Sequence, residues 1–188
     1  MMRIITGSAR GTHLYTLEGD ATRPTSERAK EALFSMLQDA VRNARVLDLF
    51  AGSGQLGLEA LSRGAACAVF VDGAKNAVEI VRRNAERTHL QDKARIVASE
   101  ALSFLRGCRE QPFDLVFLDP PYASGLIPRC LEALSAHGLL AEDALIVAEC
   151  GDPAHVFGQD EALAEKFEII KQNKYGIAYV TVLKKRIV

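Results

Sequence analysis

The stretch that decides the fold reads Val46-Leu47-Asp48-Leu49-Phe50-Ala51-Gly52-Ser53-Gly54-Gln55-Leu56-Gly57-Leu58-Glu59-Ala60. Its apolar start predicts a buried strand, and the apolar residues after the turn, such as Leu56, begin a helix. Gly52, Gly54 and Gly57 match the pattern G-x-G-x-x-G, in which glycines let backbone N–H groups approach a ligand closely at the end of a strand. By itself this pattern fits a nicotinamide dinucleotide site equally well.

A carboxylate follows at the spacing expected for a nucleoside ligand. Asp72 closes the apolar run Ala68-Val69-Phe70-Val71, about 20 residues after the turn, where a carboxylate can accept hydrogen bonds from ribose hydroxyls. The pair of features predicts a nucleoside-bearing cofactor. A tight packing turn with a solvated Asp72 is the structural alternative.

The tetrapeptide Asp119-Pro120-Pro121-Tyr122 follows the apolar run Phe113-Asp114-Leu115-Val116-Phe117-Leu118. Two consecutive prolines hold the loop in one shape. The Asp119 carboxylate and the Pro120 carbonyl can accept both hydrogens of one exocyclic NH2 group, and Tyr122 offers a ring for stacking. These four residues are the candidate catalytic residues, and a simple β-turn with an exposed tyrosine is the alternative.

The combination favours S-adenosylmethionine (SAM) over a dinucleotide, because a methyl transfer to an amine needs a rigid acceptor loop beside the methyl donor. The two motifs resemble those of class I SAM-dependent methyltransferases that act on amino nitrogens. The opening residues Met2-Arg3-Ile4-Ile5-Thr6-Gly7, Gly11 and Thr22-Arg23-Pro24-Thr25-Ser26-Glu27-Arg28-Ala29-Lys30-Glu31-Ala32-Leu33-Phe34 narrow the resemblance. They resemble the bacterial ribosomal small subunit methyltransferase D family, which methylates the exocyclic N2 of one guanine in 16S rRNA.

The resemblance implies a SAM site in which the 50–54 turn holds the methionine part, Asp72 the ribose and the 98–101 segment the adenine. The family usually has Glu at the position of Asp72 and Asp near Glu100, so each carboxylate changes its reach by one methylene. A carboxylate at a helix N-terminus is the alternative for Glu100. The predicted cofactor-binding residues are Asp48, Phe50, Ala51, Gly52, Ser53, Gly54, Asp72, Glu100, Ala101 and Asp119.

Strands and helices alternate along the chain, which predicts parallel βαβ units with helices on both faces of one sheet. The predicted strands lie near residues 45–49, 67–72, 94–98, 113–118, 144–149, 167–172 and 177–184, and the predicted helices over residues 55–63, 74–88, 100–108, 125–136 and 160–166, with another helix after Pro24. The resemblance implies a Rossmann-like sheet of seven strands, the last antiparallel, in a single domain over residues 1–188. Residues 1–24 are predicted as a small hairpin extension that contacts RNA, and Asn173-Lys174-Tyr175-Gly176 as the turn between the last two strands.

Charge is unevenly distributed in this chain of net charge −1. Residues 1–30 carry five bases and three acids, and residues 171–188 carry five bases and no acid. Since phosphate contacts dominate nucleic-acid affinity, the two ends are the expected RNA-contacting parts. The candidate substrate-binding residues are Arg10, Arg23, Thr25, Arg28, Lys30, Tyr122, Lys174 and Tyr175.

Each of these assignments has a structural alternative. The terminal charges suit ordinary solvated side chains, Arg23 and Arg28 suit a brace between the N-terminal segment and the core, Thr25 suits a helix cap, and a hairpin turn accounts for Lys174 and Tyr175.

The expected reaction is direct in-line transfer of the methyl group to guanine N2, without a metal ion. The four cysteines are widely spaced and suggest neither a zinc site nor disulfides. No stretch approaches the roughly 20 apolar residues of a membrane span, and the N-terminus lacks the apolar region of a signal peptide, so a cytoplasmic protein with no membrane partner is expected. A monomer is expected as well. Its expected partner is 16S rRNA, in an assembly intermediate of the small subunit.

Three other functions stay open from the sequence. An N6-adenine DNA or RNA methyltransferase uses the same tetrapeptide, although a DNA enzyme normally carries a sizeable recognition insertion. A glutamine or small-amine methyltransferase usually has Asn in place of Asp119. A catalytically silent RNA-binding subunit is the third possibility.

Overall fold

Seven strands form the sheet at the centre of the protein: β1 (Arg45–Asp48), β2 (Cys67–Asp72), β3 (Ala94–Ala98), β4 (Phe113–Leu118), β5 (Leu140–Cys150), β6 (Phe167–Tyr175) and β7 (Ala178–Lys185). The structure is a computed structural model that describes residues 2–17, 27–121 and 124–186. The strand order is β3-β2-β1-β4-β5-β7-β6. The first five strands pair in parallel, and β7 is antiparallel to both β5 and β6. The predicted seven-stranded, mostly parallel sheet is confirmed.

In the described ranges, six α-helices cover the sheet: α1 (Glu27–Leu37), α2 (Gln55–Ser62), α3 (Lys75–Arg87), α4 (Ala101–Gly107), α5 (Leu126–Ala136) and α6 (Glu161–Glu165). The first three helices share one hydrophobic cluster with one face of the sheet, and the last three share a second cluster with the other face. The alternation of side chains along a strand separates the clusters: Val46 belongs to the first and its neighbour Leu47 to the second. The prediction of helices on both faces is confirmed. Of the helices in the described ranges, none combines the length and apolar character of a bilayer-crossing segment.

Two predicted boundaries are wrong. Strand β5 starts at Leu140, which pairs with Phe113, because the register between β4 and β5 shifts at that end of the sheet. Strand β6 continues to Tyr175, which pairs with Ala178, so Gly176 and Ile177 alone make the turn that was predicted to begin at Asn173. Gly176 has φ 62°, a left-handed conformation that glycine adopts easily, and this permits the tighter turn.

The predicted N-terminal hairpin is present between Met2 and Leu14. The Ile4 N–H donates to the Thr12 carbonyl at 3.0 Å and the Leu14 N–H to the Met2 carbonyl at 2.9 Å. Ile4 and Leu14 are buried in the cluster under the first three helices, so the hairpin packs on the main core. Residues 18–24 of the predicted extension lie outside the described residues.

A buried carboxylate ties this hairpin to the helices. Glu59 of α2 is fully buried and accepts hydrogen bonds from the Ile5 N–H (2.8 Å) and the Thr6 N–H (3.1 Å). The Arg63 Nε donates to Glu59 Oε1 at 2.8 Å, and the Lys30 Nζ lies 3.4 Å from Glu59 Oε2. Two backbone donors and two cations therefore share one carboxylate.

The structure corrects the assignment of Lys30 as an RNA contact. Its side chain is 2% exposed, and its Nζ donates to the Arg3 carbonyl at 2.6 Å while facing Glu59. Burial lowers the pKa of Lys30, and the Glu59 carboxylate opposes that shift. Lys30 joins the N-terminal hairpin to α1 and α2, which is the bracing role that the sequence suggested for Arg23 and Arg28.

Glu59→Gln is expected to destabilise the protein by about 3–5 kcal/mol, because it leaves the buried ammonium of Lys30 without a compensating charge. Urea denaturation followed by circular dichroism measures the change. Glu79→Gln is the matched control, since Glu79 forms an exposed ion pair with Arg82 at 3.4 Å, and its expected effect is under about 1 kcal/mol. Equal losses in the two variants would contradict the structural role of Glu59.

Candidate active site

A cavity of about 550 Å³ opens at the carboxyl ends of the parallel strands. This is the edge where open α/β sheets bind their ligands. Its wall contains these residues predicted for the cofactor or the acceptor: Asp48, Phe50, Ala51, Gly52, Ser53, Asp72, Glu100, Ala101, Asp119 and Pro121. Gly54 and Pro120 are not in this wall: Gly54 is the residue that precedes α2, and Pro120 is buried.

The three glycines of the turn serve different purposes. Gly52 and Gly54 have φ of 54° and 77°, left-handed values at which any other residue would be strained. Gly57 lies in α2, where a Cβ atom would overlap the ring of Phe70 on β2. The first two glycines therefore shape the turn, and the third lets the helix approach the sheet.

Asp72 supports the turn from the next strand. Its Oδ2 accepts a hydrogen bond from the Gly52 N–H at 2.9 Å, and its Oδ1 accepts one from the Ala74 N–H at 2.8 Å. Each oxygen retains capacity for a further hydrogen bond, and Asp72 belongs to the cavity wall. Binding of a ribose by Asp72 stays a prediction.

Asp48 lies at the floor of the cavity, 3% exposed, and accepts a hydrogen bond from the Gly57 N–H at 3.0 Å. Burial raises the pKa of Asp48 to about 7, the negative charge of Asp72 adds to the shift, and the hydrogen bond from Gly57 opposes it. The carboxyl group is consequently close to half protonated at neutral pH, and a cation placed beside it would ionise it.

Glu100 immediately precedes α4 and is exposed on the cavity wall. Its carboxyl group lies against Gly73, where a Cβ atom would come 2.7 Å from Glu100 Oε1. The side chain makes no capping hydrogen bond to α4. Glu100 is therefore at the N-terminus of α4, as the alternative interpretation expects. It is also in the cavity wall, as the predicted adenine contact expects.

The acceptor loop begins where β4 ends. Asp119 is half-buried, and Pro121 is exposed on the cavity wall. Tyr122, the predicted stacking ring, lies outside the described residues. Leu118 pairs with Ala148 of β5, so Glu149 lies beside Asp119 at the ends of adjacent strands and belongs to the same wall.

Glu149 was missed from the sequence, although its position carries a signal. It follows the apolar run of its strand just as Asp119 follows the apolar run of β4. The other wall residues that were not predicted are Met2, Leu17, Leu49, Gln55, Leu56, Gly73, Ala74 and Leu126.

Asn84 connects the N-terminal segment to the cofactor turn. It is fully buried on α3, and its Nδ2 donates to the Ser53 carbonyl at 2.8 Å and to the Tyr15 carbonyl at 2.9 Å. Its Oδ1 accepts from the Tyr15 N–H at 2.8 Å. The Ser53 hydroxyl contacts Met2 Sδ at 3.2 Å. The N-terminal segment is therefore part of the cavity. The spacing of apolar residues along α3 does not predict the contacts that Asn84 makes to this segment.

The candidate RNA contacts are dispersed. Arg10 and Arg28 are exposed, and Arg23 and Thr25 lie outside the described residues. Lys174 is exposed with its Nζ 5.1 Å from the ring centre of Tyr179, and Tyr175 is half-buried with its hydroxyl 3.5 Å from Asn173 Nδ2. Neither Lys174 nor Tyr175 belongs to the cavity wall.

The sheet order, the glycine turn and the carboxylate at the end of β2 are those of a class I SAM-dependent methyltransferase. Comparison with known proteins agrees. The family model "Conserved hypothetical protein 95" matches residues 2–184. A putative rRNA methyltransferase of Bacillus subtilis, YlbH, is 36% identical over 98% of this chain and 100% of its own.

Both a curated protein and a solved structure from Escherichia coli are similar to this chain. The ribosomal RNA small subunit methyltransferase D of that organism is 40% identical over 79% of this chain and 74% of its own. The solved structure of the putative methyltransferase yhhF has a TM-score of 0.86 at 34% identity, and the match covers 98% of this chain and 97% of that one. The chain belongs to the ribosomal RNA small subunit methyltransferase D family, and its cofactor is SAM.

Binding of SAM is expected to tighten as the pH rises from 6 to 8, by at most about tenfold per pH unit, because a cationic ligand favours ionised Asp48, whose pKa is raised to about 7. The folding stability of the protein without ligand depends on pH with the opposite sign. The folded protein holds the Asp48 proton to higher pH than the unfolded chain, so Asp48 makes stability fall between about pH 4 and pH 7.

Calorimetric titration with SAM at several pH values measures the effect. The amino group of SAM has an expected pKa near 8 and titrates in the same range, so Asp48→Asn, which retains only that contribution, is the control. Parallel pH profiles for the wild type and Asp48→Asn would contradict the prediction.

Proposed function

We propose that this protein transfers the methyl group of SAM to the exocyclic N2 of a guanine in the 16S rRNA of the small ribosomal subunit. The observation that carries the proposal is the position of Asp119 and Pro121, at the end of β4, in the wall of the cavity that also holds the glycine turn and Asp72. The residues predicted for the acceptor and those predicted for the nucleoside therefore line one cavity. The names of the relatives point to small-subunit rRNA as the substrate.

The residues of the acceptor loop act by positioning. The Asp119 carboxylate accepts an N2 hydrogen and so helps to turn the nitrogen lone pair toward the methyl group. The second acceptor predicted from the sequence is the Pro120 carbonyl; Pro120 is buried outside the cavity wall, so this contact requires the acceptor loop to adjust around the base. SAM supplies a methyl group on a sulfonium, which is a good leaving group. As the N–C bond forms, the bond between sulfur and the methyl carbon breaks and its electron pair stays on sulfur, so the sulfonium would leave as a neutral thioether. The nitrogen, then positively charged, would release one proton to Asp119 or to water. Tyr122 provides the ring on which the base stacks.

The second carboxylate of the mouth favours guanine over adenine. The Watson–Crick edge of guanine presents the N1–H donor next to the N2 amino group, whereas adenine presents N1 as an acceptor next to its N6 amino group. Glu149 beside Asp119 supplies acceptor oxygens for the N1–H of guanine and would repel the N1 lone pair of adenine. The base enters the cavity unpaired, because both groups lie on its pairing edge.

The same proposal assigns RNA contacts to exposed cations outside the cavity. Arg10 and Arg28 are exposed cations on the N-terminal side and suit contacts to RNA phosphates. Lys174 is an exposed cation at the β6–β7 turn, near Tyr175, on the edge of the sheet where the cavity opens. A monomer acting on an assembly intermediate of the small subunit, in the cytoplasm, fits these surfaces.

Incubation of the protein with labelled SAM and 16S rRNA, 30S particles or duplex DNA, followed by digestion to nucleosides, tests the function. Labelled N2-methylguanosine from an RNA substrate is the expected product. Labelled N6-methyladenosine, or label in DNA alone, would overturn the proposal and support the adenine alternative. The RNA substrate that reacts faster identifies the assembly stage.

Asp119→Ala is expected to lower the turnover by about 10²-fold or more, because the amine loses its orienting acceptor, while the affinity for SAM changes little. Single-turnover methylation and calorimetry measure the two effects. Asp143→Asn is the control, since Asp143 is an exposed carboxylate on β5 that pairs with Lys184 at 2.6 Å. Near-normal turnover of Asp119→Ala would remove Asp119 from the mechanism.

A further inference from the structure

Tyr15, Arg83 and Arg87 form an exposed cluster beside the cavity, here called the Tyr15 patch. The Cζ atoms of Arg83 and Arg87 lie 4.1 Å and 5.1 Å from the centre of the Tyr15 ring, and Arg87 Nη1 donates to the Tyr15 hydroxyl at 3.1 Å. Tyr15 is 39% exposed, and both arginines are exposed. Cation–π contacts of this length hold the two guanidinium groups over one ring.

The two arginines of the patch lack a compensating acid. Across residues 2–17, 27–121 and 124–186, neither Arg83 nor Arg87 is within ion-pair distance of a carboxylate. By contrast, the adjacent Arg82 pairs with Glu79. Like charges four residues apart on a helix repel each other. Two uncompensated guanidinium groups at this spacing are suited to an anion, and the planar donor fork of arginine matches a phosphate group.

The patch is rigidly joined to the methyl-transfer site. The Tyr15 N–H and carbonyl both bond to Asn84, which also holds the Ser53 carbonyl of the cofactor turn. Leu17, two residues after Tyr15, is in the cavity wall. The patch therefore adjoins the cavity, through Leu17 on one side and the Ser53 turn on the other.

We propose that Arg83 and Arg87 bind phosphate groups of the substrate RNA next to the target nucleotide, and that Tyr15 positions their guanidinium groups. This inference rests on the proposed function, because it assigns the anion to the RNA that is methylated. Phosphate is a better match than a stacked base, since the ring of Tyr15 already contacts the guanidinium groups.

The test compares two double variants that remove equal charge. Arg83→Gln with Arg87→Gln dissolves the patch, and Arg82→Gln with Lys93→Gln removes two exposed cations elsewhere in α3 and in the turn after it. Binding of each protein to a labelled 16S rRNA transcript is measured by fluorescence anisotropy at several salt concentrations. Calorimetry with SAM and circular dichroism check that the cofactor site and the fold are intact.

For the patch variant, RNA affinity is expected to fall by about tenfold or more at low salt, and the slope of log K against log salt concentration to decrease by about one per arginine. The affinity for SAM and the methylation rate constant at saturating RNA are expected to stay within about twofold of the wild type. The loss is therefore expected in KM for RNA. Tyr15→Leu removes the ring that the guanidinium groups contact and keeps both charges. Its RNA affinity is expected to lie between those of the two double variants.

Equal RNA affinity and equal salt slopes for the two double variants would overturn the patch proposal, even with the wild type methylating rRNA normally. A wild type that binds the transcript but forms no methylated nucleoside would overturn the proposed function, while the comparison of the variants would still decide whether the patch binds RNA. The two failures are therefore distinguishable.

Discussion

The structure depends on one buried carboxylate. Glu59 sits under the N-terminal hairpin and accepts two of its backbone N–H groups, while Lys30 and Arg63 balance its charge. A carboxylate in the interior is costly unless its oxygens are fully hydrogen-bonded and its charge is paired, and Glu59 meets both conditions. Because the hairpin supplies Met2 to the cavity wall, the contacts of Glu59 also support one part of that wall.

Around the cavity, the polar groups divide into those that hold the glycine turn and those that line the mouth. Asp72 holds the glycine turn through the Gly52 N–H, and Asn84 holds the same turn through the Ser53 carbonyl. Asp119 and Glu149 are at the ends of adjacent strands and make the mouth acidic. Asp72 and Asn84 together hold the glycine turn from two sides, which lowers the entropic cost of ordering this turn around a ligand.

Much of the fold could be predicted because strong local patterns specify it. The strands at residues 67–72, 94–98 and 113–118 have the predicted bounds, since each is an apolar run that ends in a polar or turn residue. The errors occur where pairing extends a strand beyond its apolar run, as in β6, whose polar residues up to Tyr175 remain on the ladder through β7. Lys30 was misjudged because a lysine in sequence looks solvated, and its burial depends on Glu59, 29 positions away.

The sequence by itself determined the class of fold, the position of the glycine turn and the acceptor loop, because these depend on the conformational limits of glycine and proline and on short apolar runs. Only the tertiary structure decided which polar side chains are internal braces and which face the cavity. Glu59 and Asn84 are polar residues in ordinary helices, and nothing local distinguishes them. Glu149 has one local signal, its place after an apolar run, but only the pairing of β5 with β4 places it beside Asp119. Their roles arise from contacts between segments far apart in the chain, and such contacts exist only once the sheet and its helices have packed.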